Sequence, residues 1–219
     1  MIHHRRYIAW LGLVLIVFAG GCSRPQSHSQ GVYMLIDTSG TYTGELEKAQ
    51  RIINYTLGKL NPGDSFAVAR VDTGSFSEKD IIEKMTFDDR PSMANQQKRR
   101  FRDHIDTFVK HVHPSRYTDI TGGILQAIEF LNEKNPGKKT ILIFSDLKEE
   151  LKKGYKRDIP LQLNGFEVVA LNVTKLRTDN INPREYLDRL EQWRQRVKSG
   201  GGEWRVINDL ERMEGILGG

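Results

Sequence analysis

The chain has almost no cysteine: Cys22 is the only one among its 219 residues. An intrachain disulfide is therefore excluded, and so is a metal site built from cysteine pairs. The sequence also lacks the glycine-rich dinucleotide motif, the P-loop and the nucleophile elbow of serine hydrolases. The enzyme classes that depend on these motifs are not indicated.

Neither sign of charge is in large excess. The formal net charge is +5, and Arg5 and Arg6 contribute to it from a segment that we expect to be removed. A surplus this small does not predict a nucleic-acid partner. With 38% hydrophobic and 28% charged residues, the composition is that of a folded soluble domain rather than a disordered chain.

One apolar run, residues 7–19, follows a basic amino terminus and is too short for a membrane-spanning helix. The segment Ala19-Gly20-Gly21-Cys22 after it resembles the lipobox of bacterial lipoproteins, with Ala19 where that family usually has leucine. The resemblance implies lipidation of Cys22. Ser23 then implies an outer-membrane anchor that faces the periplasm of the bacterial cell envelope. A plain secretory signal and an uncleaved anchor are the alternatives.

The chain is thus predicted to have three parts: a lipoprotein signal peptide (1–21), a polar tether (22–30) and one domain (31–219). Acyl chains on Cys22 would hold the protein firmly at a membrane, since each buried CH₂ contributes ~0.8 kcal/mol. The eight polar residues 23–30 reach at most ~29 Å, so the domain stays close to the bilayer.

Apolar runs and amphipathic segments alternate along the domain. The predicted strands cover residues 32–36, 65–71, 81–87, 140–144, 166–173 and 204–207, and the predicted helices cover 44–60, 92–111, 121–131, 183–198 and 210–217. Residues 147–160 are a charged loop with a helical turn. Met93 and Leu187 are assigned to inward helix faces. The alternation predicts an α/β fold, a doubly wound and mainly parallel sheet flanked by helices.

Oxygen-bearing side chains follow two of the most apolar strands. Asp37, Ser39 and Thr41 come directly after the first, and Asp146 follows the strand at 140–144. Ligand crevices of open α/β sheets lie at the carboxyl ends of strands. Carboxylates and hydroxyls without histidine or cysteine are typical of a hard cation such as Mg²⁺.

Together with Thr118 in the loop before a helix, these residues resemble the metal-ion-dependent adhesion site of von Willebrand factor type A domains. That family has Asp-x-Ser-x-Ser, a Thr and an Asp on three successive loops, and Thr41 replaces the last Ser here. The resemblance implies a Rossmann-like fold and Mg²⁺ (or Mn²⁺ or Ca²⁺) held by Ser39, Thr41 and Thr118, with Asp37 and Asp146 mostly behind them. It also implies a non-enzymatic module that recognises a protein partner offering Asp or Glu.

Two alternatives remain at this stage. The segment from Asp37 to Thr43 also looks like the phosphorylated-aspartate motif of haloacid-dehalogenase-like hydrolases, in which Asp37 would be a nucleophile. A scaffold domain with a vestigial metal site is the other. Asp119 is interpreted as a helix cap or as a group behind the metal ligands, rather than as a ligand itself. His104, His111 and His113 lack zinc-site spacing and are interpreted as solvated.

Overall fold

The computed structural model describes residues 28–40, 43–71, 77–173, 182–208 and 213–217. The predicted signal peptide, most of the tether, Cys22 and the candidate ligand Thr41 lie outside these residues. In the part of the chain that is described, no helix combines the length and the apolar character needed to cross a bilayer.

Six strands form one sheet in the order β3-β2-β1-β4-β5-β6. In chain order they are β1 (Gln30–Asp37), β2 (Ser65–Val71), β3 (Ile81–Thr86), β4 (Lys138–Phe144), β5 (Phe166–Leu171) and β6 (Glu203–Ile207). All neighbouring pairs are parallel except β2 with the edge strand β3. The predicted α/β fold with a mainly parallel sheet is confirmed.

Helices cover both faces of this sheet. In chain order they are α1 (Leu46–Lys59), α2 (Pro91–His111), α3 (Ile120–Lys134), α4 (Pro183–Ser199) and α5 (Glu214–Leu217). Side chains from α1, α2 and α5 share one apolar core with the sheet, and side chains from α3 and α4 share the other. The sheet is therefore the middle of three layers.

The central strand shows why the sheet is buried on both sides. Residues 32–36 of β1 have no exposed surface. Val32, Met34 and Ile36 point into the core beneath α1 and α2, whereas Tyr33 and Leu35 point into the core beneath α3. A continuous apolar run is what a parallel strand covered on both faces requires.

Three local predictions are wrong. Met93 is 37% exposed and Ala94 faces the core instead, while Leu187 is 61% exposed on α4. Residues 147–163 contain a turn at Lys153 and Gly154 but no helix. This loop is anchored by specific side-chain contacts, which periodicity of apolar residues does not reveal.

Candidate metal centre

The candidate residues lie where the chain changes direction across the sheet. From β1 the chain continues to β2, which pairs with β1 on one side. Strand β4 pairs with β1 on the other side, and β5 lies next to β4. Such a switch point leaves a crevice at the carboxyl ends of the two central strands. Asp37 is the last residue of β1, and Asp146 follows β4 by two residues.

Three loops meet at this crevice: the first (37–40, which begins with the last residue of β1), the second (112–119) and the third (145–150). The first and second are joined by the backbone N–H of Ser115, which donates to the carbonyl oxygen of Thr38 at 2.7 Å. The first and third are joined by the Ser145 hydroxyl, which donates to Asp37 Oδ2 at 2.7 Å.

The second and third loops are joined at the residue that the sequence singled out. Thr118 and Glu150 exchange two backbone hydrogen bonds, with N···O distances of 2.9 and 3.0 Å, as an isolated antiparallel bridge. Every pair of loops is thus held by at least one direct hydrogen bond. Segments separated by up to about a hundred residues form one rigid cluster around the crevice.

Asp37 is fully buried, and both of its carboxylate oxygens accept hydrogen bonds. Oδ2 accepts from Ser145, and Oδ1 accepts from the backbone N–H of Ser39 at 2.8 Å. Burial raises the pKa of Asp37 above its ordinary value, while the hydrogen bonds from Ser145 and Ser39 oppose this shift. These hydrogen bonds orient the carboxylate, but they only partly offset the free-energy cost of removing its charge from water.

Asp146 is only 4% exposed, and burial likewise disfavours its charged form. Burial raises the pKa of Asp146 to about 6, and the negative charge of Asp37 acts in the same direction. A hydrogen bond from the Lys148 backbone N–H to Oδ1, at 2.8 Å, and the positive charges of Arg189 and Lys148 oppose it. Two buried carboxylates that repel each other form a site where a cation is stabilising.

The two described candidate hydroxyl residues differ in burial. Thr118 is 2% exposed, and Ser39 is half-buried at the tip of the first loop. Among the described residues, the neighbouring buried hydroxyls of Thr38 and Thr121 have no hydrogen-bond partner. An unsatisfied buried hydroxyl costs about 1–3 kcal/mol.

Asp119 has a structural role, as its sequence context indicated. Its Oδ1 caps α3 by accepting from the Gly122 N–H at 2.8 Å, and its Oδ2 accepts from Arg157 Nε at 2.8 Å. Asp119 is 2% exposed and Arg157 15%, so this ion pair is largely removed from water. Asp119 thus caps α3 and pairs with Arg157.

Sequence reasoning missed the residues that hold the segment 145–157 against the start of α3. Glu149 accepts from the Thr121 N–H at 2.6 Å and from Arg196 at 3.3 Å, and Arg157 pairs with Asp119 across 38 residues. Nothing local in the sequence signals these pairings. Ser145 could have been found, because a hydroxyl at the end of a strand beside β1 lies close to Asp37.

The donor set fits a hard divalent cation. No group of three or more His, Cys, Asp or Glu side chains that could hold a metal occurs in the described part of the chain. A metal here would therefore depend on the hydroxyls of Ser39 and Thr118 together with Asp37 and Asp146. All four side chains offer oxygen atoms, which Mg²⁺ and Ca²⁺ prefer. Thr41 lies outside the described residues.

No protein-family model matches the sequence, and no curated protein does. Solved structures do match. A von Willebrand factor type A protein from Catenulispora acidiphila has a TM-score of 0.54 and 13% identity over 87% of this chain and 41% of its own. The pilus adhesin SpaC from Lactobacillus rhamnosus GG, in an open conformation, has a TM-score of 0.56 and 12% identity over 89% of this chain and 29% of its own.

The chain spans less than half the length of either of these structures. At such identities the likeness concerns the fold, which agrees with the strand order and with the two helical layers described above. The chain therefore has the fold of a von Willebrand factor type A domain.

Proposed function

We propose that this domain binds a protein partner through a divalent cation, and that a carboxylate of the partner completes the coordination. Ser39, Thr41 and Thr118 would hold the cation through hydroxyl oxygens, with Asp37 and Asp146 behind them. The observation that carries the proposal is the convergence of three hydrogen-bonded loops on two buried carboxylates at the switch point of the sheet.

A bound cation, Mg²⁺ or else Mn²⁺ or Ca²⁺, would supply a positive charge that the neutral hydroxyls of Ser39, Thr41 and Thr118 compensate only in part. An incoming Asp or Glu side chain of the partner would be attracted to that charge. Asp37 and Asp146 orient neighbouring groups, and the pairing of Thr118 with Glu150 fixes the second loop against the third. No bond of the partner is made or broken.

A role in adhesion or partner recognition also accords with the name of one fold neighbour, the pilus adhesin SpaC. Anchoring through a lipidated Cys22 in the bacterial envelope, facing the periplasm, would place the site within reach of other envelope proteins. No part of this proposal involves nucleic acid.

The test is a pull-down from envelope extract with the full chain as bait, with and without EDTA. We expect a partner that is lost with EDTA and lost with Asp37→Ala. The exposed carboxylate Asp158 supplies the control, and Asp158→Asn should retain the partner. Capture that is indifferent to EDTA and to Asp37→Ala would instead support a scaffold with a vestigial site.

The phosphohydrolase alternative predicts a different result. Asp37 would have to attack phosphorus, yet it has no exposed surface and both of its oxygens already accept hydrogen bonds. Incubation of the full chain with p-nitrophenyl phosphate and Mg²⁺ should give no turnover above the Asp37→Asn variant. Turnover that disappears in that variant would overturn the proposal of a binding module.

A further inference from the structure

A basic groove lies between α1 and α2, on the outer surface of one helical layer. Its volume is about 430 Å³. Its lining consists of three cationic residues, two asparagines and two small or apolar residues: Lys98, Arg99, Arg102, Asn54, Asn95, Leu57 and Gly58. No acidic side chain belongs to this lining, so the groove favours an anion.

The positive charges of the groove are poorly neutralised. Within the described residues, the guanidinium group of Arg99 has no ion-pair or hydrogen-bond partner. The Arg102 Nε atom lies 3.9 Å from Asp103 Oδ1, at the limit of an ion pair, and half of its side chain is exposed. Lys98 is partly buried, donates to the carbonyl oxygen of Leu60 and has the negative charge of Asp64 nearby. The charge available to a ligand is therefore mainly that of Arg99 and Arg102.

The shape of the groove suits a phosphate group. Arg99 and Arg102 are three residues apart on α2 and therefore lie on the same side of that helix. Opposite them, Gly58 leaves open space, since a Cβ atom added there would meet nothing within 4 Å. A guanidinium group can give two parallel hydrogen bonds to a phosphate, and two such groups side by side make a strong site.

The groove lies near the amino-terminal ends of the parallel strands, whereas the candidate metal centre lies at their carboxyl ends. The second half of α1 and the first half of α2 form the groove. The carboxyl end of α1 and the amino end of α2 lie on either side of the turn that contains Asp64. Asp64 Oδ1 accepts a hydrogen bond of 2.7 Å from the backbone N–H of Gln30, where β1 begins. The segment that leads back to Cys22 therefore enters the domain at this end of the sheet.

We propose that the basic groove binds anionic phospholipid headgroups of the membrane to which the chain is anchored. The proposal rests on the proposed anchoring at Cys22 and not on metal binding. Docking at this end of the sheet directs the candidate metal centre away from the bilayer. The 21 residues of α2 span roughly 32 Å between the two ends, so the crevice remains open to a partner.

Orientation on vesicles tests the proposal. The mature chain, acylated at Cys22 and reconstituted into vesicles, receives one new cysteine for a fluorescent label. The thioether at Cys22 does not react with a thiol-directed dye. Asn54→Cys marks the groove, and Tyr155→Cys marks the exposed loop beside the candidate metal centre. A quencher attached to lipid headgroups reports which label approaches the bilayer.

We expect strong quenching of the groove label in vesicles that contain phosphatidylglycerol, weak quenching in pure phosphatidylcholine, and little quenching of the Tyr155→Cys label in either. The double variant Arg99→Glu and Arg102→Glu should lower the ratio of docked to undocked protein by roughly 25-fold or more, since each arginine near an anionic surface contributes a factor of roughly five. The matched control, Lys152→Glu with Lys153→Glu, changes the same amount of charge near the opposite end of the sheet and should leave docking intact.

Equal quenching of the two labels, or docking that survives the arginine reversals, would overturn the proposal. Displacement by inorganic phosphate at constant ionic strength would also overturn it, in favour of a soluble anion as the ligand. Because both arginines are exposed, thermal unfolding of the double variant should match that of the control, which separates lost docking from lost folding. Addition of EDTA should not alter docking, so the result is independent of the proposed metal.

Discussion

Replacing Asp146 by asparagine should stabilise the metal-free protein at neutral pH. Burial, with the charge of Asp37, raises the pKa of Asp146 from 3.8 to about 6. The difference between these values corresponds to about 3 kcal/mol of unfavourable free energy for the ionised form in the folded state. Asparagine keeps an oxygen that can accept the hydrogen bond from the Lys148 N–H, and it carries no charge. We expect a gain of about 1–3 kcal/mol in unfolding free energy.

The pH dependence gives the same prediction an independent check. The folded-state pKa lies above the unfolded one, so the folded protein holds an additional proton between a pH of about 4 and 6. The penalty is fully present above pH 6 and disappears as the pH falls through this window. The advantage of Asp146→Asn over wild type in EDTA should therefore be largest at pH 7 and shrink towards pH 4.

Urea denaturation in EDTA and in excess Mg²⁺ or Mn²⁺ measures both effects. At a free-metal concentration a hundredfold above its dissociation constant, the wild type should gain about 2.7 kcal/mol, and Asp146→Asn should gain almost nothing. The control Asp158→Asn changes an exposed carboxylate and should stay within about 0.5 kcal/mol of wild type. A variant that is destabilised in EDTA, or that still gains stability from metal, would refute the reasoning.

Two further substitutions test how the loops and the core are held. Arg157→Ala should cost about 3 kcal/mol of unfolding free energy, because it leaves the carboxylate of Asp119, only 2% exposed, without its cation. Urea denaturation checks this, and a loss below about 1 kcal/mol would contradict it. Gly123→Ala should cost about 1–3 kcal/mol, because its Cβ would lie 2.8 Å from a methyl carbon of Leu35. Gly58→Ala, in open space on α1, should instead gain about 0.5–1 kcal/mol, and equal effects in the two variants would contradict the packing argument.

Much of the fold could be predicted because strong local patterns agree with it. The apolar run of β1 is buried on both faces, and Ser65–Val71 forms a strand with the bounds that its pattern predicts. Met93 and Leu187 were assigned wrongly because the buried stripe of each helix runs through neighbouring residues. On α2 it contains Ala94, Phe101 and Ile105, and on α4 it contains Tyr186, Leu190, Trp193 and Val197.

The sequence could predict at which end of the sheet the candidate carboxylates lie, but it could not predict the contacts that hold the loops there. A carboxylate or hydroxyl directly after a buried strand must lie at the carboxyl edge of the sheet, so Asp37 and Asp146 could be expected to be neighbours. The pairing of Arg157 with Asp119 joins an irregular loop to a helix cap, and no periodicity encodes it. The basic groove likewise depends on how α1 packs beside α2, which single-helix patterns leave undetermined.

Calorimetric titration of the full chain with Mn²⁺ tests the central claim most directly. Binding of one ion per chain is expected, with a matching loss of affinity in Asp37→Asn and in Thr118→Val, which come from different loops. The control Asp158→Asn should bind as wild type does. Absence of binding heat over a range of temperatures, or wild-type affinity in both loop variants, would contradict the account of a cation held where the three loops meet.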